Sequence, residues 1–154
     1  MIALYAGSFD PPHLGHVDLI TRAAAVSDRL LVAIARDPDK QQAWPIDQRL
    51  GWLRRLCAGN AKVAVVTYEG ATVAFARAQG ISVLVRGLRN HADFETEQVI
   101  ATINRQNGCE TLLLLSAPEH IHISSRTVRR VLAAGLPIDN LVPAEILGDL
   151  VAKP

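Results

Sequence analysis

Between Arg29 and Ala35 the chain reads Arg-Leu-Leu-Val-Ala-Ile-Ala, an apolar run with no polar residue interrupting it. A strand with one wet face would alternate apolar and polar residues, so a continuous run indicates a strand covered on both faces, the mark of a parallel sheet. The stretches Ile2 to Ala6, Lys62 to Tyr68, Ile81 to Val85 and Glu110 to Ser116 read as further strands, the last with four consecutive leucines.

Helical spacing fills the intervals. Val17, Leu19, Ile20 and Ala23 mark one helix, and Leu50, Leu53 and Leu56 mark a second that starts near Asp47 and ends at Gly59-Asn60. A short helix through Ala78 stops at Gly80, another spans Asp93 to Asn107, one opens at Ser124 or Ser125, and a last amphipathic one follows Leu141-Val142-Pro143. This alternation predicts an α/β fold: a doubly wound, Rossmann-like, five-stranded parallel sheet with helices on both faces, in a single domain over residues 1–154.

Composition narrows the function. The 16 Lys and Arg against 15 Asp and Glu leave no broad basic field for long nucleic acid, so positive charge must act locally. Although 49% of residues are hydrophobic, no apolar run reaches the roughly 20 residues of a membrane span, and Met1 leads into a strand pattern; a cytoplasmic location is expected. Cys57 and Cys109 lack Cys-x-x-Cys spacing and read as small buried apolar residues.

The chemistry concentrates where strands end. Gly-Ser-Phe-Asp-Pro-Pro-His-Leu-Gly-His, residues 7–16, lies on the first strand-to-helix turn. Gly7 would let backbone approach a ligand, unpaired N–H groups at the helix start favour an anion, and Gly15 leaves room beside His13 and His16. Two imidazole donors beside a phosphate would stabilise charge that grows during reaction, although the same residues also suit a helix cap. Lys40 follows the second strand, and Arg86-Gly87-Leu88-Arg89 follows the fourth, where guanidiniums can grip phosphate bidentately or pair with Asp93, Glu95 or Glu97. Ser124-Ser125-Arg126 sets hydroxyls and a cation at another helix start. His120 and His122 would face one side of an extended segment, but no third ligand lies nearby, and no metal site is expected.

Taken together, residues 7–16, Lys40, Arg-Gly-Leu-Arg with Asp93-Phe94-Glu95-Thr96-Glu97, Asn104-Arg105 and Ile123-Ser124-Ser125 resemble the phosphopantetheine adenylyltransferase family of the nucleotidyltransferase superfamily. The Arg-Gly-Leu-Arg block is the family-specific part. The resemblance implies transfer of AMP from ATP to 4′-phosphopantetheine, giving dephospho-coenzyme A and pyrophosphate, with magnesium, a homohexamer and feedback inhibition by coenzyme A. It implies His16 as transition-state stabiliser, Lys40 and Arg86 as catalytic groups that hold the acceptor phosphate, and Ser8 and Thr72 as further acceptor contacts. Its ATP positions map onto Ser8, Phe9, His16, Gly87, Leu88, Arg89, Glu97 and the run His120, Ile121, His122, Ile123, Ser124, Ser125 and Arg126.

The chain departs from the family pattern at three positions. His13 stands where Thr or Asn is usual, which brings the motif closer to nicotinate or nicotinamide mononucleotide adenylyltransferases. Arg126 replaces a third hydroxyl residue, and His120 replaces an aromatic. The alternatives are therefore a pyridine-nucleotide adenylyltransferase, or a nucleotide-binding module without catalysis.

Overall fold

A computed structural model describes residues 1–37 and 41–152. Strands and helices alternate as β1 (Ile2–Gly7), α1 (Leu14–Val26), β2 (Arg29–Arg36), α2 (Ile46–Cys57), β3 (Val63–Glu69), α3 (Thr72–Ala78), β4 (Val83–Leu88), α4 (His91–Gln106) and β5 (Glu110–Leu115). A 3-10 turn at Pro118–His120, then α5 (Ser125–Ala133) and α6 (Ala144–Val151), complete the order. The strands form one sheet in the order β3-β2-β1-β4-β5, and every neighbouring pair is parallel. The α/β, doubly wound expectation is met.

Alternate residues of the central strands feed two cores, as the period of two along a strand requires. Ala3, Tyr5, Val32, Ile34 and Val85 pack with Leu19, Ile20 and Ala23 of α1 and Leu50 and Leu53 of α2. On the opposite face Leu4, Ala6, Leu31, Ala33 and Leu84 pack with Ala76 and Phe75 of α3. A third cluster joins Trp52 to Ile123, Val128, Ile138 and Ile146, which docks α5 and α6 beside α2.

Three sequence expectations change. The fourth strand does not stop at Val85: Arg86, Gly87 and Leu88 continue it, paired with Leu113, Leu114 and Leu115. Arginine and glycine are poor strand signals, and the ladder to β5 overrides them. The leucine run of β5 is only half-buried and Leu115 is 69% exposed, because β5 is an edge strand rather than one covered on both faces. The segment after β5 turns as a 3-10 helix instead of running extended, so His120 and His122 do not share a face in the way an extended chain would give.

Gly87 has a packing reason. A Cβ there would lie 2.4 Å from Cδ1 of Leu19, so glycine allows α1 to sit close over β4. Gly87→Ala should cost about 1–2 kcal/mol, the usual penalty of overpacking. The cost should shrink clearly in a Leu19→Ala background, where the clashing methyl is gone. Urea unfolding of the parent, both single variants and the double variant measures this coupling, and additive costs would count against it.

Candidate active site

The strand order reverses between β1 and β4, and chain segments leaving those strands diverge there, the place where open α/β sheets form ligand crevices. A cleft of about 450 Å³ occupies it. Its walls come from the loop after β1, the end of β4, the start of α4, the segment through His120, and the start of α5.

The loop after β1 is held from several directions. Asp10 is buried, and its two carboxylate oxygens accept the backbone N–H groups of Ala43 and Trp44 at 2.9 and 3.0 Å. Arg49, 2% exposed on α2, donates to the carbonyls of Trp44 and Ser8 at 2.9 and 2.6 Å. From α5, Ser125 Oγ donates to the carbonyl of Pro11 at 2.8 Å and Arg129 donates to the carbonyl of Asp10. Phe9 adopts a φ of 47° and is buried, its ring edge-on to those of Tyr5 and His16 at 5.5 and 4.8 Å. A Cβ on Gly7 would come within 3.0 Å of the Phe9 ring. Gly7 therefore makes room for Phe9, rather than for a ligand as the sequence suggests. Gly15 does serve the imidazoles: its Cβ would meet the His13 ring at 3.2 Å.

His13 is the N-cap of α1 and His16 lies in its first turn. The capping and catalytic readings of this pair converge on one geometry. The rings stack with centroids 3.6 Å apart, and His16 Nδ1 accepts the backbone N–H of His13 at 3.2 Å. That bond puts the His16 ring proton on Nε2, the nitrogen left for a ligand in the cleft. Burial first, then His13 and Arg89, hold the pKa of His16 well below the histidine range. Burial, Arg89 and His120 lower that of His13 to about 3. Both rings are neutral donors at physiological pH, not cations. The Nδ1 atoms of His13 and His120 are buried without a protein partner, two polar atoms turned to one region of the cleft lining.

The arginines of β4 are paired and also face the cleft. Arg86 grips Glu97 bidentately at 2.6 and 2.8 Å, and Arg89 grips Asp93 at 2.9 and 3.2 Å. Glu97, expected among the ATP contacts, has both oxygens on Arg86 and serves to hold that guanidinium in place. Among the described residues, four arginines and three carboxylates line the cleft, so its fixed charge favours an anion.

Of the expected site residues, Ser8, Phe9, His16, Arg86, Gly87, Arg89, Glu97, His120, Ile123, Ser124, Ser125 and Arg126 meet in this cleft. Leu88 is buried in the sheet, and Ile121 and His122 are exposed outside the cleft. Thr72 lies off it, its hydroxyl 2.7 Å from that of Tyr68, just past a second, more apolar cavity of about 820 Å³ that reaches Glu69 and Gly70. Lys40 lies outside the described residues. Sequence reasoning missed Asp10, Arg49 and Arg129; Arg129 follows Arg126 by three positions on one helix, a spacing that could have revealed it.

Comparison with known proteins sharpens the picture. Residues 4–131 match the model of the cytidylyltransferase-like family. A phosphopantetheine adenylyltransferase of Synechococcus sp. (strain JA-2-3B'a(2-13)) is 43% identical, the match covering 97% of this chain and 96% of the relative. The corresponding enzyme of Gloeobacter violaceus is 41% identical over 97% of this chain and 94% of its own. The nicotinic acid mononucleotide adenylyltransferase of Plasmodium falciparum, solved with NaAD, superposes with a TM-score of 0.69 over 97% of this chain and 93% of its own, at 14% identity, a likeness of fold.

The imidazoles make stability depend on pH. Unfolded histidines take up protons near pH 6.5, whereas folded His13 does so only near 3 and His16 well below 6.5. Their contribution is thus complete above about pH 6.5 and is lost as pH falls, by at most about 1.4 kcal/mol per pH unit for each ring. Thermal unfolding should show the midpoint falling between about pH 7 and 5, and a His13→Asn/His16→Asn double variant should flatten that slope. Equal slopes in the two proteins would mean that other groups take up the protons.

Proposed function

This chain belongs to the cytidylyltransferase-like family and, within it, to the phosphopantetheine adenylyltransferases, and we propose that it transfers AMP from ATP to 4′-phosphopantetheine. The observation that carries this reading is a neutral His16 with its Nε2–H free for a ligand, in one cleft with Arg86 and Arg89 at the reversal of strand order.

An oxygen of the acceptor phosphate attacks the α-phosphorus of ATP. The new P–O bond forms, the bond to the β-phosphate breaks, and its electron pair leaves with pyrophosphate. The nucleophile is already an anion, so no base is required; alignment and charge stabilisation are. As charge builds on the α-phosphate oxygens, a fixed N–H donor binds the transition state more strongly than the ground state. His16 has the geometry for that task, and its lowered basicity keeps it a hydrogen-bond donor.

In this reading Arg86, Lys40 and Ser8 hold the acceptor phosphate. Thr72 would border the pantetheine arm from the side of the second cavity. Gly87, Arg89 and the segment from His120 to Arg126 receive ATP, whose phosphates would give the unpartnered Nδ1 atoms of His13 and His120 the acceptors they lack. Leu88, Ile121 and His122 act through the backbone path, not as lining side chains.

The three carboxylates of the cleft, Asp10, Asp93 and Glu97, each face arginine or backbone N–H groups. No group of three metal-binding side chains occurs among the described residues. They fit magnesium only as a companion of ATP, carried on its phosphates, where it would neutralise charge on the leaving pyrophosphate. Coenzyme A shares the pantetheine arm with the acceptor and so is proposed as a feedback inhibitor. The exposed Phe94, Val99 and Ile103 of α4, with Leu115 on the edge strand, support a homo-oligomer, a homohexamer by family likeness. No helix of the described residues is long and apolar enough to cross a membrane, in keeping with a proposed cytoplasmic enzyme.

His13 makes nicotinate mononucleotide the rival acceptor. Incubation with ATP, magnesium and each acceptor separately, followed by mass measurement of the products, decides between them. Dephospho-coenzyme A is expected; adenylylation of nicotinate mononucleotide alone would reverse the assignment, and ATP binding without turnover would indicate a non-catalytic module. His16→Ala should lower kcat on the order of 10²-fold or more with ATP binding retained. Near-normal turnover in that variant would remove His16 from its role.

A further inference from the structure

Most donors on the floor of the cleft already have protein acceptors. Arg86 gives Nε and one terminal nitrogen to Glu97, and its other terminal nitrogen reaches the carbonyl of Ala6 at 3.5 Å. Arg89 is engaged by Asp93, and Arg129 by Asp10. Tyr5 is different. It lines the cleft and its side chain is only 6% exposed, yet its hydroxyl makes no hydrogen bond to any described residue. A buried phenol ordinarily finds a partner, as Tyr68 does in Thr72 at 2.7 Å.

We propose that the Tyr5 hydroxyl is an acceptor-binding group that donates a hydrogen bond to the phosphate of 4′-phosphopantetheine beside Arg86. The proposal rests on the phosphopantetheine reading of the cleft given above. Tyr5 sits in register opposite Val85, the residue before Arg86, so the two groups lie on adjacent strands of the sheet. Its ring is held edge-on by Phe9 at 5.5 Å, with the His16 ring at 6.4 Å, which places a rigid phenol under the reacting groups. Arg86 pulls on the phenol more strongly than Arg89 does, which favours the acceptor side of the cleft over the ATP side. Burial outweighs both arginines and raises the phenol well above its ordinary range, so the group stays an O–H donor and never acts as a base.

Tyr5→Phe removes one oxygen and leaves the core ring. Steady-state kinetics of the parent and variant enzymes should show KM for phosphopantetheine raised about tenfold, the effect of a lost hydrogen bond to an anion, with KM for ATP within about twofold. Calorimetric titration with phosphopantetheine and with pantetheine, which lacks the phosphate, should show the parent's preference for the phosphorylated form reduced by a similar factor in the variant. An unchanged KM for phosphopantetheine, a change confined to ATP, or equal loss for both substrates with a lowered melting temperature would each overturn the role. Failure of the underlying reading is separate: it would appear in the parent protein, as no dephospho-coenzyme A formed.

Discussion

The cleft depends on the carboxylate of Asp10. Its two oxygens take the backbone N–H groups of Ala43 and Trp44, 33 and 34 residues away, while Arg129 approaches it from a helix 119 residues away. A buried carboxylate is tolerated only when its lone pairs are satisfied, so these segments must meet for any of them to be stable there. The loop that carries His13 and His16 is thereby tied to the chain leaving β2 and to α5. Arg49 strengthens the tie from beneath by binding the carbonyls of Ser8 and Trp44.

Once the loop is fixed, the electrostatics of the cleft follow from burial and pairing. Stacked, half-enclosed imidazoles next to Arg89 cannot carry charge cheaply, and both are held neutral. The arginines keep their charge but are steered by carboxylates, Arg86 by Glu97 and Arg89 by Asp93. Such pairs limit the freedom of long side chains before a ligand arrives, which lowers the ordering cost of binding an anion. The result is a site of oriented donors with a small excess of positive charge, suited to aligning two phosphates rather than to moving protons.

Several glycines and aromatics serve this arrangement through packing. Gly7 admits the ring of Phe9, Gly15 admits that of His13, and Gly87 admits Leu19, so β1, α1 and β4 approach closely around one hydrophobic wedge. Phe9 accepts a left-handed backbone because its buried ring bridges Tyr5 and His16. Motif positions that look like ligand contacts in a linear reading thus include some that act by shaping the wall behind the ligand.

Much of this was legible in the chain itself. The unbroken apolar run at Arg29–Arg36, the helical spacing around Leu19 and Leu53, and the turn residues between them determine a parallel doubly wound sheet, because periodicity and turn chemistry are local. The same pattern places residues 7–16 and the Arg86–Arg89 block near strand ends. It could not reveal that Arg86 to Leu88 belong to β4, that β5 is an edge, that Glu97 faces Arg86, or that Thr72 turns to Tyr68. Those outcomes, with the neutral imidazoles and the unpaired Tyr5 hydroxyl, belong to tertiary structure alone: desolvation and hydrogen bonding act between groups distant in sequence, and only packing decides which of them meet.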